Sequence, residues 1–200
     1  VPLSLMFCLS PWNSFTDMEY VINMAREYNI DVRIGIYGTM DFFDTKADLL
    51  AADLSNFIQN IPQNIHIRYI VADSLLYSFE KKYDIVIGNP PYMKITKDKK
   101  LLALYKEQAQ NKDTNNIFAF FIEKMMSVGN VVSLIVPKSL INAPEFNQTR
   151  TIMKEKRITN IVDFGEKGFK GVKIETISFV LDTRKAPDMT TIESYITEDV

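Results

Sequence analysis

The sequence predicts an α/β fold built around a mainly parallel sheet, in a soluble globular protein with one sizeable core. Short apolar runs of strand type alternate along the chain with amphipathic stretches of helical period, which is the pattern of βαβ units. The 200 residues are enough for one sizeable core. Hydrophobic residues make up 46% and charged residues 24% of the chain, as in soluble globular proteins.

The N-terminal part of the chain contains three strand candidates and two helix candidates. Ser14 and Asp17 have the spacing of a capping box at the start of the first predicted helix, and Thr45 and Asp48 repeat that spacing at the second. The predicted order is strand LSLMFCL, helix SFTDMEYVINMAREYN, strand VRIGIYG, helix TKADLLAADLSNFIQN and strand IHIRYIVA.

A fourth strand, YDIVIG, is followed by a polar, lysine-rich connection from Lys94 to about Thr114. The predicted elements beyond it are helix NNIFAFFIEKMM, strand NVVSLIVP, a helix around EFNQTRTIMKEK, and strands ITNIVDFG and ETISFVLD. The last two strands are close enough in sequence to pair antiparallel. We therefore predict a mainly parallel sheet that carries a C-terminal antiparallel hairpin.

Composition narrows the functional classes. The net charge is only −2, so a contact with nucleic acid would be local or supplied by another domain. The single cysteine, Cys8, fits a reducing cytoplasm, and with the single histidine, His66, it is too little for a zinc site; no metal is predicted. No apolar run has the length of a membrane span, and the first residues lack the features of a signal peptide. We expect a cytoplasmic protein.

The ends of the chain suggest a piece of something longer. It begins at Val1, and its last residues, IESYITEDV, have no feature of a natural end. We expect residues 1–185 to form a catalytic core with an incomplete or degenerate N-terminal part, and residues 186–200 to begin a linker or a following domain.

The tetrapeptide Asn89-Pro90-Pro91-Tyr92 directly follows YDIVIG, where open α/β sheets place their ligands. It is also ordinary turn chemistry. An exocyclic amine on a nucleobase is a poor nucleophile, because its lone pair is delocalised into the ring. Acceptors on both of its N–H bonds, the Asn89 side-chain carbonyl and the Pro90 backbone carbonyl, would free the lone pair. Pro91 would stiffen this backbone, and Tyr92 would offer a face for stacking.

GNPPY after an apolar strand resembles the catalytic motif of the S-adenosylmethionine (SAM)-dependent adenine DNA methyltransferases of restriction–modification systems. The resemblance covers roughly residues 30–182. ADSLLY is similar to the family's Ala-Asp-hydrophobic segment, and NNIFAFFIEKMMSVGNVVSLIVPKSLINAPEFNQTR to its helix, turn, strand and Val-Pro segment. DFGEKGFKGV resembles the segment whose aromatic residue packs on the flipped adenine.

The resemblance implies a Rossmann-like SAM-dependent methyltransferase core that methylates the exocyclic amine of a flipped adenine in DNA. It implies that Asn89, Pro90, Pro91 and Tyr92 are catalytic, and that Tyr92 and Phe169 sandwich the base. The implied partners are double-stranded DNA and a specificity or restriction subunit or a fused endonuclease. The resemblance also implies a target-recognition domain, usually C-terminal, that reads the DNA sequence. The residues after 182 in this sequence are too few to form one.

The cofactor side of the pattern is less complete. The resemblance implies that Asp73 holds the adenine amine of SAM and that Asp41 holds its ribose, although Asp41 stands one residue later than the family's acid. The family's glycine-rich first loop has its nearest match in SPWNSF, which contains no glycine. A missing true start, a degenerate inactive copy and a variant SAM-binding loop all explain this departure, and we favour the first.

Several alternatives remain open. Asp73 is also a good turn residue, Phe169 could belong to the core of the hairpin, and the Lys94–Lys100 run could be a solvated loop or a phosphate contact. The same tetrapeptide serves SAM-dependent enzymes that act on protein glutamine or RNA. A catalytically inactive, methyltransferase-like binding module is the alternative from another class. The segment after Tyr92 is more similar to that of the DNA enzymes.

Overall fold

The computed structural model describes residues 4–9, 23, 27, 31–36, 67–166 and 174–195. Within them, the strands are β1 (Ser4–Leu9), β2 (Asp31–Ile36), β3 (Ile67–Val71), β4 (Tyr83–Gly88), β5 (Gly129–Pro137), β6 (Arg157–Gly165), β7 (Thr176–Asp182) and β8 (Thr191–Ser194). The helices are α1 (Lys99–Gln108), α2 (Ile117–Val128) and α3 (Asn147–Lys154), with 3₁₀ turns at Lys138–Leu140 and Pro144–Phe146. No helix in these ranges is long and apolar enough to cross a membrane.

The strands form a sheet in the order β3-β2-β1-β4-β5-β7-β6-β8. Parallel pairs join β3 to β2, β2 to β1, β1 to β4 and β4 to β5. The chain adds β2 and β3 on one side of β1 and then returns to place β4 on the other side. This switch point, between β1 and β4, is where open α/β sheets bind their ligands. The predicted α/β fold with a mainly parallel sheet is confirmed.

The C-terminal hairpin is also confirmed, because β7 pairs antiparallel with both β5 and β6. Thr176 lies opposite Pro137 on one side and Gly165 on the other. The carboxyl ends of β5 and β6 therefore meet at the same edge of the sheet as that of β4. The exposed strand β8 pairs parallel with β6 and was not predicted. The domain boundary after residue 185 stays a prediction.

Helix α2 is the centre of the core and is buried on nearly every side. It runs into β5 without a connecting residue, since α2 ends at Val128 and β5 begins at Gly129. A Cβ atom at Gly129 would lie 2.8 Å from Val86 Cγ2 and 2.9 Å from Val132 Cγ2, so this close approach requires glycine. The buried residues of α2 are Ile117, Phe118, Ala119, Phe120, Phe121, Ile122, Met125, Met126 and Val128.

Helix α1 lies in the segment whose sequence predicted only a polar connection. The Asp98 carboxylate caps this helix, because its Oδ1 accepts a hydrogen bond of 2.8 Å from the Leu101 amide. Tyr105 is buried, and Leu101 and Leu102 pack against the core. Three apolar contacts among many lysines produce a weak periodic signal, which is why the sequence pattern missed the helix.

Several sequence predictions lie outside the described residues: the SPWNSF segment, the second predicted helix, Asp41 and Phe169. Of the first predicted helix, Asn23 and Glu27 are described; both are helical and exposed. They lie four residues apart and therefore share one face of the helix, which is exposed, as the predicted amphipathic helix requires.

An ionic cluster lies where β6 ends and β7 begins. Lys138 Nζ lies 3.0 Å from Asp163 Oδ2 and 3.3 Å from Glu175 Oε1. The other Asp163 oxygen accepts a hydrogen bond of 2.9 Å from the Gly165 amide, where a φ of 54° favours glycine. Burial alone would raise the pKa of Asp163, but the Gly165 amide and Lys138 outweigh it and hold that pKa below its usual value. The hydrogen bond to Asp163 raises the pKa of Lys138.

Replacing Asp98 by alanine should destabilise α1 locally. The loss of one N-cap typically costs about 1 kcal/mol. Amide hydrogen exchange across α1 should accelerate roughly fivefold at that cost. Lys100→Ala is the matched control, since it lies in the same first turn and removes a cation from the positive end of the helix dipole. Equal acceleration in both variants would contradict the assigned cap.

Replacing Lys138 by methionine should make the free energy of unfolding less pH-dependent. A lowered Asp163 pKa stabilises the fold above the ordinary value of 3.8, and this contribution is lost as the pH falls through the folded-state pKa. A raised Lys138 pKa stabilises below 10.5, and this contribution is lost as the pH rises through the folded-state pKa. In chemical denaturation from about pH 3 to pH 11, the free energy of unfolding of the variant should therefore fall furthest below that of the wild type at neutral pH. Lys81→Met, at an exposed lysine, should show no such profile.

Candidate active site

Two of the sequence-predicted clusters lie at one edge of the sheet. Asp73 follows β3 and Asn89 follows β4, and both strands end at the edge where the switch point lies. Strands β2 and β1 lie between them. The edge can therefore present an acid and an amide to two different parts of one extended site.

Asn89 is the first residue beyond β4 and is only 8% exposed. Its Oδ1 is buried and has no hydrogen-bond partner among the described residues. Buried acceptors are normally satisfied, and leaving one unpaired costs about 1–3 kcal/mol. The side-chain carbonyl is therefore held in a state that an incoming N–H donor would stabilise.

The two prolines hold the backbone beside this carbonyl. Pro90 and Pro91 are both buried, and neither has an N–H group that could extend the pairing of β4 with β1 or β5. Their fixed φ angles leave the Pro90 carbonyl little freedom to turn. The stretch thus brings a buried side-chain acceptor and a restrained backbone acceptor into adjacent positions.

The Tyr92 ring is held from two sides. Its hydroxyl donates a hydrogen bond of 2.9 Å to the Ile135 carbonyl of β5. The ring meets Phe118 of α2 edge-on, at 6.3 Å between centroids and 83° between planes. Burial raises the pKa of the Tyr92 hydroxyl well above its usual value, so the hydroxyl remains a donor at neutral pH. A half-buried ring fixed in this way is suited to stacking.

Asp73 has the turn role that its sequence context also allowed. Its Oδ1 accepts a hydrogen bond of 2.9 Å from the Leu75 amide, and its backbone carbonyl accepts from the Tyr77 amide at 2.8 Å. Its Oδ2 accepts a hydrogen bond of 2.5 Å from the Tyr105 hydroxyl. The carboxylate is also close enough to affect Lys124, where burial lowers the lysine pKa and the charge of Asp73 opposes that change.

The segment that follows the motif returns to it. The Ile95 amide donates to the Asn115 carbonyl at 2.9 Å, and the Ile117 amide donates to the Met93 carbonyl at 2.9 Å. Residues 96–114 thus leave and re-enter the site region at adjacent points, and α1 lies between them. Sequence reasoning missed Tyr105, although the Asp98 cap and the Leu101–Tyr105 spacing were signals of this helix.

The lysine-rich run begins close to the motif. Lys94 Nζ lies 2.9 Å from Glu145 Oε1, beside the turn that precedes α3. Lys97, Lys99 and Lys100 are exposed. Lys97 lies in a solvated loop, whereas Lys99 and Lys100 belong to the exposed first turn of α1. A contact of these lysines with phosphate stays a prediction.

The predicted stacking partner Phe169 and the predicted ribose ligand Asp41 lie outside the described residues. The flanks of the Phe169 segment are described: Gly165 ends β6 and Thr176 begins β7, opposite Pro137. These flanks lie at the carboxyl edge that Asn89 shares. Within the described ranges, no group of three His, Cys, Asp or Glu side chains could hold a metal ion.

Comparison with curated proteins gives a relative with a named activity. Over 155 residues the chain is 28% identical to the type II methyltransferase M.VspI of Vibrio sp. (strain 343). The match covers 76% of this chain and 37% of M.VspI, so the chain spans about a third of the length of that relative.

Solved structures share the fold. A protein from Listeria monocytogenes described as a class I SAM-dependent methyltransferase superposes with a TM-score of 0.69 at 18% identity, over 98% of this chain and 59% of that one. A modification subunit of a type I restriction enzyme from Vibrio vulnificus YJ016 superposes with a TM-score of 0.62 at 13% identity, over 98% and 43%. At these identities the likeness shows the fold, and it confirms the predicted Rossmann-like methyltransferase architecture.

The profile of the Eco57I restriction-modification methylase family matches residues 5–169. This range includes strands β2 to β6, the tetrapeptide after β4 and helix α2. It confirms the resemblance to the methyltransferases of restriction–modification systems. Because the match covers well over half of the sequence, the chain belongs to the Eco57I restriction-modification methylase family.

Proposed function

We propose that the chain is the catalytic core of a DNA adenine methyltransferase, which transfers a methyl group from SAM to the exocyclic amine of a flipped adenine. The observation that carries this proposal is the buried Oδ1 of Asn89 at the switch point of the sheet, which has no hydrogen-bond partner in the part of the chain that the structure describes. Membership of a restriction-modification methylase family supports DNA as the substrate over protein glutamine or RNA.

The activation of the amine follows from two acceptors. Asn89 Oδ1 accepts a hydrogen bond from one N–H of the adenine amine, and the Pro90 carbonyl accepts from the other. Both bonds favour a tetrahedral nitrogen, whose lone pair is no longer delocalised into the ring. Pro91 keeps the second acceptor in place, so little reorganisation is needed when the base arrives.

Base flipping requires a surface that replaces the lost stacking. Tyr92 offers its ring on one face of the adenine, held by the Ile135 carbonyl. Phe169 would offer the opposite face, and the described residues before its segment include Asp163, which pairs with Lys138. Stacking on aromatic side chains is typically worth about 1–3 kcal/mol per base.

The cofactor would lie along the same edge. Bound SAM would supply an electrophilic sulfonium methyl group in line with the amine nitrogen. The N–C bond would form as the S–C bond breaks, S-adenosylhomocysteine would leave, and the methylated amine would release one proton to solvent. Asp73 would hold the cofactor's adenine amine with the lone pairs that Leu75 and Tyr105 do not use, and Asp41 would hold the ribose. The carboxylate is half-buried, so it is within reach of a ligand at this edge.

The whole protein would work on double-stranded DNA in the cytoplasm as part of a restriction–modification system. A net charge of −2 fits a core whose contacts with the DNA phosphates are supplied largely by another domain or subunit. The core would assemble with a specificity or restriction subunit or be fused to an endonuclease, and the fold likeness to a modification subunit of a type I restriction enzyme supports the first arrangement.

Replacing Asn89 by alanine should lower methyl transfer to genomic DNA by at least roughly a hundredfold, the loss expected when one preorganised polar group is removed. SAM affinity, measured by calorimetry on the intact protein, should be unchanged, because Asn89 contacts the methyl acceptor. Asn89→Asp keeps an acceptor oxygen and should retain measurable transfer.

Asn130→Ala is the matched control, since Asn130 lies near the amino end of β5, at the opposite edge of the sheet. It should methylate DNA at the wild-type rate. Unimpaired transfer by Asn89→Ala would overturn the proposed mechanism.

Replacing Tyr92 should separate its ring from its hydroxyl. Tyr92→Phe loses the hydrogen bond to Ile135 and keeps the stacking face, so methyl transfer should fall only a few-fold. Tyr92→Ala loses the face, and transfer should fall roughly tenfold to a hundredfold. The measurement is the initial rate of labelled methyl incorporation into genomic DNA. Tyr195→Ala, at an exposed tyrosine beyond β8, should have no effect, and equal losses in both Tyr92 variants would contradict a stacking role.

A further inference from the structure

Tyr105 is a buried tyrosine whose hydroxyl reaches a predicted cofactor ligand. It is 2% exposed and lies on α1. Its hydroxyl donates a hydrogen bond of 2.5 Å to Asp73 Oδ2, across 32 residues of sequence. Its ring lies 6.0 Å from that of Phe120 on α2. The hydroxyl is therefore held against the carboxylate by a side chain with little freedom to move.

Two donors fix the orientation of the Asp73 carboxylate. The Leu75 amide bonds Oδ1 and the Tyr105 hydroxyl bonds Oδ2, so rotation of the carboxylate would break at least one of these bonds. A carboxylate has about four acceptor positions, and these donors use two of them. The remaining lone pairs are directed by the same two bonds. The turn role of Asp73 and a ligand role are thus compatible.

Helix α1 also connects this carboxylate to the tetrapeptide. The chain enters the α1 segment directly after Tyr92 and returns where the Ile117 amide bonds the Met93 carbonyl. Within this segment, the Tyr105 hydroxyl donates the hydrogen bond to Asp73. The carboxylate at the end of β3 and the backbone just beyond the Tyr92 ring are therefore parts of one hydrogen-bonded arrangement.

We propose that Tyr105 is a positioning residue, which orients Asp73 toward the exocyclic amine of the cofactor's adenine. The inference rests on the proposed function, because it requires that Asp73 accept from that amine. An oriented carboxylate meets the amine without losing rotational freedom on binding, which favours ligands that carry the amine. Without the hydroxyl, Asp73 keeps its carboxyl group and its bond to Leu75 but loses the direction of its free lone pairs.

The test compares two ligands by calorimetry on the intact protein: S-adenosylhomocysteine, and its 6-deamino analogue with hydrogen in place of the amine. The wild type should prefer the first ligand. Tyr105→Phe should weaken the binding of S-adenosylhomocysteine roughly tenfold, as expected for the loss of one hydrogen bond to a charged group, and leave the affinity for the analogue unchanged. In an Asp73→Ala background, Tyr105→Phe should have no further effect on either ligand.

Tyr83→Phe is the matched control, since Tyr83 is 3% exposed and begins β4 at the opposite edge of the sheet. It should keep the wild-type preference. Thermal unfolding shows whether each variant folds. The double-mutant cycle of Tyr105→Phe and Asp73→Ala gives a second measurement of the coupling between these two residues. An equal loss for both ligands in Tyr105→Phe, or no loss, would overturn the positioning role alone.

Other outcomes separate this inference from the proposed function. If the wild type bound both ligands equally, Asp73 would not contact the cofactor's amine. This result would overturn the inference and leave the role of Asn89 intact. A folded wild type that binds neither ligand would overturn the inference and the cofactor part of the proposed function together.

Discussion

The two prolines after Gly88 impose the constraint on which the candidate site depends. Strand β4 lies between β1 and β5, and further pairing would need backbone N–H groups that Pro90 and Pro91 do not have. The chain must therefore leave the sheet at Asn89, at the switch point. A side chain at that place is surrounded by the ends of neighbouring strands, so it is buried although it is polar. Its carbonyl oxygen is buried there without a hydrogen-bond partner among the described residues.

The strands of the interior are predictable because burial on both faces demands a continuous apolar run. YDIVIG has the same bounds in the sequence pattern and in β4. Strand β8 has no such signal, since all four of its residues are exposed and the described part of the sheet pairs it on one side. Helix α1 is similar: its capping aspartate was visible, but only a few of its side chains reach the core, so lysines dominate its sequence.

The site could be predicted only as far as local sequence defines it. Asp73 and Asn89 each follow an apolar run, which places both at the carboxyl ends of strands. Their arrangement depends on the pairing of β1 with β4, which results from crossover connections and leaves no local pattern. The bond between Tyr105 and Asp73 joins residues 32 positions apart and is likewise a tertiary fact. Which acceptors remain unpaired is decided by the packed structure as a whole.

The junction between α2 and β5 has a consequence for how this part of the protein can change over evolution. The helix passes into the strand without a spare residue, and Gly129 fills the only space available against Val86 and Val132. One inserted residue would exchange the inward and outward sides of β5. One deleted residue would do the same. Changes in chain length should therefore accumulate in exposed connections such as residues 184–190, while the length from the start of α2 to the end of β5 stays constant among descendants.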